Sequence, residues 1–278
     1  MHCSIHPAVS ALSTCRYWLG APVRVTVPVA VTMFFTSHGF TICPPLAMLD
    51  VIMFMCIGVS STVDLKTAFA KSCNVTFGKL AYQLGNERML ETAKKLGFNE
   101  NFKLGDFAIY NSKFPTEAEN VSGLVWSGVG QSTVLITPMH MNMITASVAN
   151  GGQMVKPWLV KNIVTGTGTI TKTGAPSQYR QVMSADTANL IAKCMYYAVE
   201  KGTATRAKID GYTVCGKTGS AETSDDKSVE TNSWYTGFIA DGAHPYVVSV
   251  VIERGGAGGK KATELAAKVL RAAVEYVG

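Results

Sequence analysis

Tyr212-Thr213-Val214-Cys215-Gly216-Lys217-Thr218-Gly219-Ser220, then Trp234-Tyr235-Thr236-Gly237-Phe238-Ile239-Ala240, then Tyr246-Val247-Val248-Ser249-Val250-Val251-Ile252-Glu253, is the stretch of sequence that decides the fold. Each segment is short, rich in β-branched and aromatic residues and bounded by Gly, Pro, Asp or Ser, so each is expected to be a strand. Only Asp241 to Pro245 separate the last two, too few residues for a crossover, and a hairpin follows. The Gly-rich run Gly255 to Gly259 leads into a final helical pattern expected to bury Leu265, Val269, Leu270, Val274 and Val277.

Upstream the period changes to that of helices. Ser61 or Thr62 is expected to cap a helix through Lys71, with Asp64 in its first turn and Leu65, Ala68 and Phe69 on one face. After a turn at Ser72, Cys73 and Asn74, a second helix runs to Leu84 and stops at Gly85. Asn86 opens a third, with Met89, Leu90, Ala93 and Leu96 inward and Gly97 as its stop. Residues 98–135 are expected to be mostly loop. Thr137-Pro138 is a strong helix start, because proline at the first helical position gives up no needed hydrogen bond; this helix ends at Asn150-Gly151-Gly152. Ser184 caps another, burying Leu190, Ile191, Met195 and Val199 before Gly202. A helical middle and a terminal antiparallel sheet with one covering helix make an α+β chain.

Composition divides the 278 residues unevenly. Residues 1–59 hold only Arg16, Arg24 and Asp50 as charged side chains, yet carry Cys3, Cys15, Cys43 and Cys56 of the 7 cysteines. A boundary near Val59 follows. The apolar run from Val25 to Leu49 is broken by Pro28, Ser37, His38, Gly39, Pro44 and Pro45, whereas a spanning helix needs about 20 mostly apolar residues. Met1 to Leu12 has no Lys or Arg for the basic start of a signal peptide. The net charge of +6 is scattered among acidic residues, which gives nucleic-acid binding no support. No Cys-x-x-Cys pair occurs, and His140 and His244 fall in no ligand pattern, so neither a metal nor a cofactor is expected.

Two short motifs carry chemistry: Lys217-Thr218-Gly219 with Ser220 on the first strand, and Ser72-Cys73-Asn74 between two helices. Taken singly, Ser72 and Asn74 would be helix-cap residues and Lys217 a solvated lysine. Together, with Ser72-Cys73-Asn74 ahead of Lys217-Thr218-Gly219 in the chain, they resemble the Ser-x-Asn and Lys-Thr-Gly elements of the penicillin-recognising acyl-serine enzymes. The flanks carry the likeness further. Asp64-Leu65-Lys66-Thr67-Ala68, Gly130-Gln131, Thr137-Pro138, Ala149-Asn150-Gly151-Gly152, Gly202-Thr203-Ala204, Gly216 to Glu222 and Trp234-Tyr235-Thr236-Gly237-Phe238 resemble the transpeptidase domain of class B penicillin-binding proteins over residues 60–278.

That resemblance implies a β-lactamase/transpeptidase-like fold: an antiparallel sheet with a C-terminal covering helix, plus a mostly helical subdomain. It also implies a peptidoglycan D,D-transpeptidase on the outer face of the cell membrane, acting on stem peptides, acylated by β-lactam antibiotics and partnered by a glycan polymerase. By resemblance Ser72 joins the proton relay, Asn74 positions the substrate amide, and Lys217 supplies positive potential. Thr218 and Ser220 would hold a carboxylate, Gly219 would let a substrate backbone lie along the strand, and the Ser220 N–H would serve the oxyanion. The chain departs from the family in one respect. The nucleophilic Ser-x-x-Lys is expected ahead of Ser72, but the sole such spacing is Ser224 to Lys227. Residues 1–59 are therefore expected to be a misread or frame-shifted segment, residues 60–278 a transpeptidase domain incomplete at its N-terminal side, and the chain inactive as written. A non-catalytic scaffold is the alternative; a carboxypeptidase or β-lactamase is disfavoured by the class B-like flanks.

Overall fold

The computed structural model describes residues 64–277, apart from 102, 105–106, 109, 119, 158–161, 175–176, 225 and 227. Ahead of them it describes four short strands, β1 (His2–Ser4), β2 (Ser13–Arg16), β3 (Pro22–Val25) and β4 (Thr32–Phe34), paired β1 with β4 and β2 with β3. The expectations for the rest of residues 1–59, and for a cap at Ser61 or Thr62, lie outside the described residues.

The helical part follows the sequence closely. Helix α1 (Leu65–Ala70) is capped by Asp64, whose carboxylate accepts from the Thr67 N–H at 2.7 Å, so Asp64 is the cap and not a first-turn residue. Helix α2 (Asn74–Leu96) is two helices joined at Gly85, whose φ of 75° and ψ of 167° suit only glycine, and it ends at Gly97 in the left-handed conformation. Residues 98–135 are more ordered than expected, holding a β5–β6 hairpin (Lys103–Leu104, Phe107–Ala108) and α3 (Val121–Ser127). Asn120 caps α3 by accepting from the Gly123 N–H, a signal present in the sequence but hidden among Asn, Ser and Gly punctuation. Helix α4 (Pro138–Ala149) starts at the Thr137 cap, and α5 (Ala185–Lys201) at Ser184. Between them, β7 (Gln153–Lys156) pairs with β10 (Ser177–Gln181), with the hairpin β8 (Asn162–Val164) and β9 (Ile170–Thr173) inside. Strands of three to five residues that mix polar with apolar positions are too short to show an alternation that would announce them.

The main sheet is antiparallel, in the order β11 (Val214–Ala221), β12 (Asn232–Ile239), β13 (Val247–Ile252). Helix α6 (Lys261–Val277) covers one face, where Ala262, Ala266, Leu270 and Val274 meet Val214, Tyr235 and Ile239. The other face receives α1, α4 and α5, with Phe69, Val148, Cys194, Met195 and Ala198 packed on Cys215 and Phe238. The α+β architecture is thus the one expected. The expected inner face of α6 needs correction: Leu265 and Val269 are 43% and 47% exposed. Leu270 and Val274 are buried as expected, and with Ala262 and Ala266 they make the contacting row at spacing i, i+4, which turns positions 265 and 269 outward.

Candidate active site

The turn between α1 and α2 sets the first wall. Ser72 has a φ of 55°; its N–H donates to the Phe69 carbonyl at 3.1 Å, and the Cys73 N–H to the Ala68 carbonyl at 2.9 Å. This is a Schellman closure of α1, and Ser72 fills the left-handed position where glycine is the usual residue. A serine there costs about 1 kcal/mol of backbone strain relative to glycine. The cost is met at a residue whose hydroxyl has a definite use. Asn74 follows as the first residue of α2, partly buried, beside the buried Cys73.

Strand β11 is the second wall. The Lys217 Nζ donates to the Ser72 Oγ and, at 2.7 Å, to the Thr218 carbonyl. Burial lowers the Lys217 pKa from 10.5 to about 8, since removing water penalises the ammonium. The Phe69 ring lies 5.9 Å from Nζ and forms the floor. Strand alternation places Lys217 and Gly219 on one face with Thr236 and Trp234 opposite them, and Thr218 and Ser220 on the other face with Tyr235 and Ser233. The buried Thr218 Oγ1 lies 2.6 Å from Thr203 Oγ1, while the Ser220 Oγ accepts from the Gly258 N–H at 3.0 Å. A methyl group at Gly219 would sit 3.2 Å from the Trp234 Cβ, a tight contact that glycine avoids.

What brings the walls together is α5 and the turn after it. Both α1 and β11 pack on α5; the Thr203 N–H donates to the Ala70 carbonyl at 3.0 Å, and the Lys71 Nζ to the Lys201 carbonyl at 3.1 Å. Thr203 thus touches both the helix that ends at Ser72 and the strand that bears Lys217. Gln131, in the loop after α3, reaches the same strand: its Nε2 donates to the Ser220 carbonyl at 3.2 Å. Thr203 and Gln131 stood out in the sequence only as flanking text, with no role, because contacts over such separations leave no local periodicity.

His140 and His244 lie apart from this cleft. His140 is fully buried on α4, its Nε2 2.8 Å from the Leu96 carbonyl. His244 sits in the β12–β13 turn beside Asp241, at 3.1 Å. Cys73, Cys194 and Cys215 are buried, the last with its thiol pushed up to about 12 by loss of water. No helix among the described residues is long and apolar enough to cross a membrane.

Among the described residues, β11 thus brings a part-buried lysine onto the hydroxyl of a turn serine held in the left-handed conformation. The penicillin binding protein transpeptidase domain family matches residues 57–271, and the chain belongs to that family. It is 28% identical over 200 residues to the peptidoglycan D,D-transpeptidase PbpA of Mycolicibacterium smegmatis, covering 72% of this chain and 40% of that protein. Against penicillin-binding protein 3 of Bacillus subtilis the identity is 29% over 185 residues, covering 63% and 26%. Penicillin-binding protein A of Mycobacterium tuberculosis, solved as its penicillin G acyl-enzyme complex, superposes with a TM-score of 0.70 at 28% identity, covering 80% of this chain and 50% of that one. The chain spans less than half the length of these curated relatives.

Proposed function

We propose that the cleft between the Ser72–Asn74 turn and β11 is the substrate cleft of a peptidoglycan D,D-transpeptidase domain. The observation that carries this is the Lys217 ammonium on the Ser72 hydroxyl, within a chain of the penicillin-binding transpeptidase family. In this reading Ser72 and Lys217 relay protons, and Asn74 orients the amide of a stem peptide ending in D-alanyl-D-alanine. Gly219 admits the peptide backbone alongside β11, the Ser220 N–H meets the developing oxyanion, and Thr218 and Ser220 take the carboxylate end. The Thr218 hydroxyl is already shared with Thr203, whereas the Ser220 Oγ only accepts, from the Gly258 N–H, and so keeps its O–H to donate to the carboxylate. No metal or cofactor enters the scheme.

The reading extends to the whole protein: cross-linking at the outer face of the membrane, covalent capture by β-lactams and service beside a glycan polymerase. It also takes residues 60–278 as the transpeptidase part and residues 1–59 as text foreign to it. The family's nucleophile belongs to Ser-x-x-Lys, and the one such spacing here, Ser224 to Lys227, follows β11. The chain as it stands is therefore proposed to bind stem peptide without being acylated.

Incubation with a fluorescent penicillin, followed by denaturing electrophoresis, tests this. The expected result is no label on the chain as it stands, and one labelled serine on a version carrying a family Ser-x-x-Lys ahead of Ser61. Label on the present chain would overturn the inactive reading, and absence of label on the restored version would overturn the transpeptidase reading.

A further inference from the structure

We propose that Gln131 is a displaceable gate on β11, its side-chain amide holding the Ser220 carbonyl that an extended peptide needs for pairing. The proposal rests on the transpeptidase reading above. Among the described residues β11 pairs on one edge only, with β12. Its other edge presents the Thr218 and Ser220 carbonyls, two residues apart as strand geometry requires. Both are engaged by side chains, Thr218 by the Lys217 Nζ and Ser220 by the Gln131 Nε2. An unpaired edge of this kind is a template for an added strand. A glutamine carboxamide donates as a peptide N–H does, so Gln131 occupies the place of an incoming backbone amide.

The gate is mounted on the opposite wall. Gly128, at the end of α3, lies so close to α2 that a methyl group there would meet the Ala81 Cβ at 2.4 Å. Helix α2 in turn begins at Asn74. The Gln131 backbone is fixed by its N–H on the Trp126 carbonyl at 3.0 Å, between Gly130 at φ 78° and Ser132 at φ 63°. With the loop held, opening requires only rotation of the side chain. The bond is neutral and long for its type, so the peptide displaces it at a cost of about fivefold in affinity.

Calorimetric titration of the full chain with acetylated L-Lys-D-Ala-D-Ala tests the gate without requiring acylation. Gln131→Ala and the unbranched Gln131→Met, which keeps the stem length but has no donor, are both expected to bind about fivefold more tightly than the unaltered chain. Equal or weaker binding by both variants, with unaltered-chain binding intact, overturns the gate and leaves the transpeptidase reading standing. Binding by none of the three overturns that reading and the gate with it.

Discussion

The hydroxyls of Thr203 and Thr218 lie 2.6 Å apart, and through them the turn after α5 is tied to the strand that carries Lys217. The Thr203 N–H simultaneously holds the Ala70 carbonyl, two residues before Ser72. Thr203→Val keeps the shape but leaves the buried Thr218 hydroxyl without this partner, at an expected cost of about 1–2 kcal/mol. Denaturant unfolding of Thr203→Val, Thr218→Val and the double variant checks it. The two changes should cost less together than their separate sum; strict additivity would show that the pair is not coupled.

Lys217 gives a pH dependence of definite sign. Its folded pKa of about 8 lies below the ordinary 10.5, so between these values the unfolded chain binds a proton that the folded chain does not. Stability therefore rises with pH across that window, while below about pH 8 both states are charged and the full penalty of the buried ammonium is present. The difference between the unaltered chain and Lys217→Met should narrow as pH rises from 8 to 10.5, by on the order of 1–3 kcal/mol. A difference independent of pH would mean that Lys217 titrates as an exposed lysine.

The left-handed conformation of Ser72 separates strain from contact. Ser72→Gly and Ser72→Ala both remove the acceptor of Lys217, but only alanine keeps a Cβ at φ 55°. The glycine variant is expected to be more stable than the alanine variant by about 1 kcal/mol. Thermal melts of the two proteins measure this directly, and equal melting temperatures would place Ser72 in an unstrained turn.

Tyr235 is fully buried between two glycines, and its hydroxyl finds no hydrogen-bond partner among the described residues. A methyl group at Gly216 would sit 2.0 Å from that oxygen, and one at Gly237 2.5 Å from it. Tyr235→Phe removes the unpaired group and is expected to stabilise the fold by about 1 kcal/mol. Gly216→Ala should destabilise it by about 3 kcal/mol, since the aromatic ring itself stands 2.5 Å from the added methyl and must move. Chemical denaturation of each variant gives both numbers. A Gly216→Ala protein as stable as the unaltered chain would show that β11 and β12 can separate at this point.

Elements announced by local chemistry were legible from the residues alone. The Thr137 and Ser184 caps, the glycine stops at Gly85 and Gly97, and the three apolar strands all depend on one residue and its near neighbours. The β7–β10 strands and α3 were not legible, because strands of three to five residues are too short to show a period and the Asn120 cap stood among loop-like residues. On α6 the error ran the other way. Leu265 and Val269 are apolar enough to be placed in the core, but the face of α6 that meets the sheet runs through 262, 266, 270 and 274, and they face outward.

The sequence by itself determined the α+β class, the order of the main strands and the two motifs, since the period of apolar residues and the chemistry of short turns are local properties. Only the tertiary structure decided that Lys217 touches Ser72, that Thr203 links both walls, and that Gln131 reaches Ser220. Those contacts join residues from 15 to 145 positions apart. Their geometry is set by how α1 and β11 pack on α5, and close packing of that kind is a property of the assembled core and of no single segment.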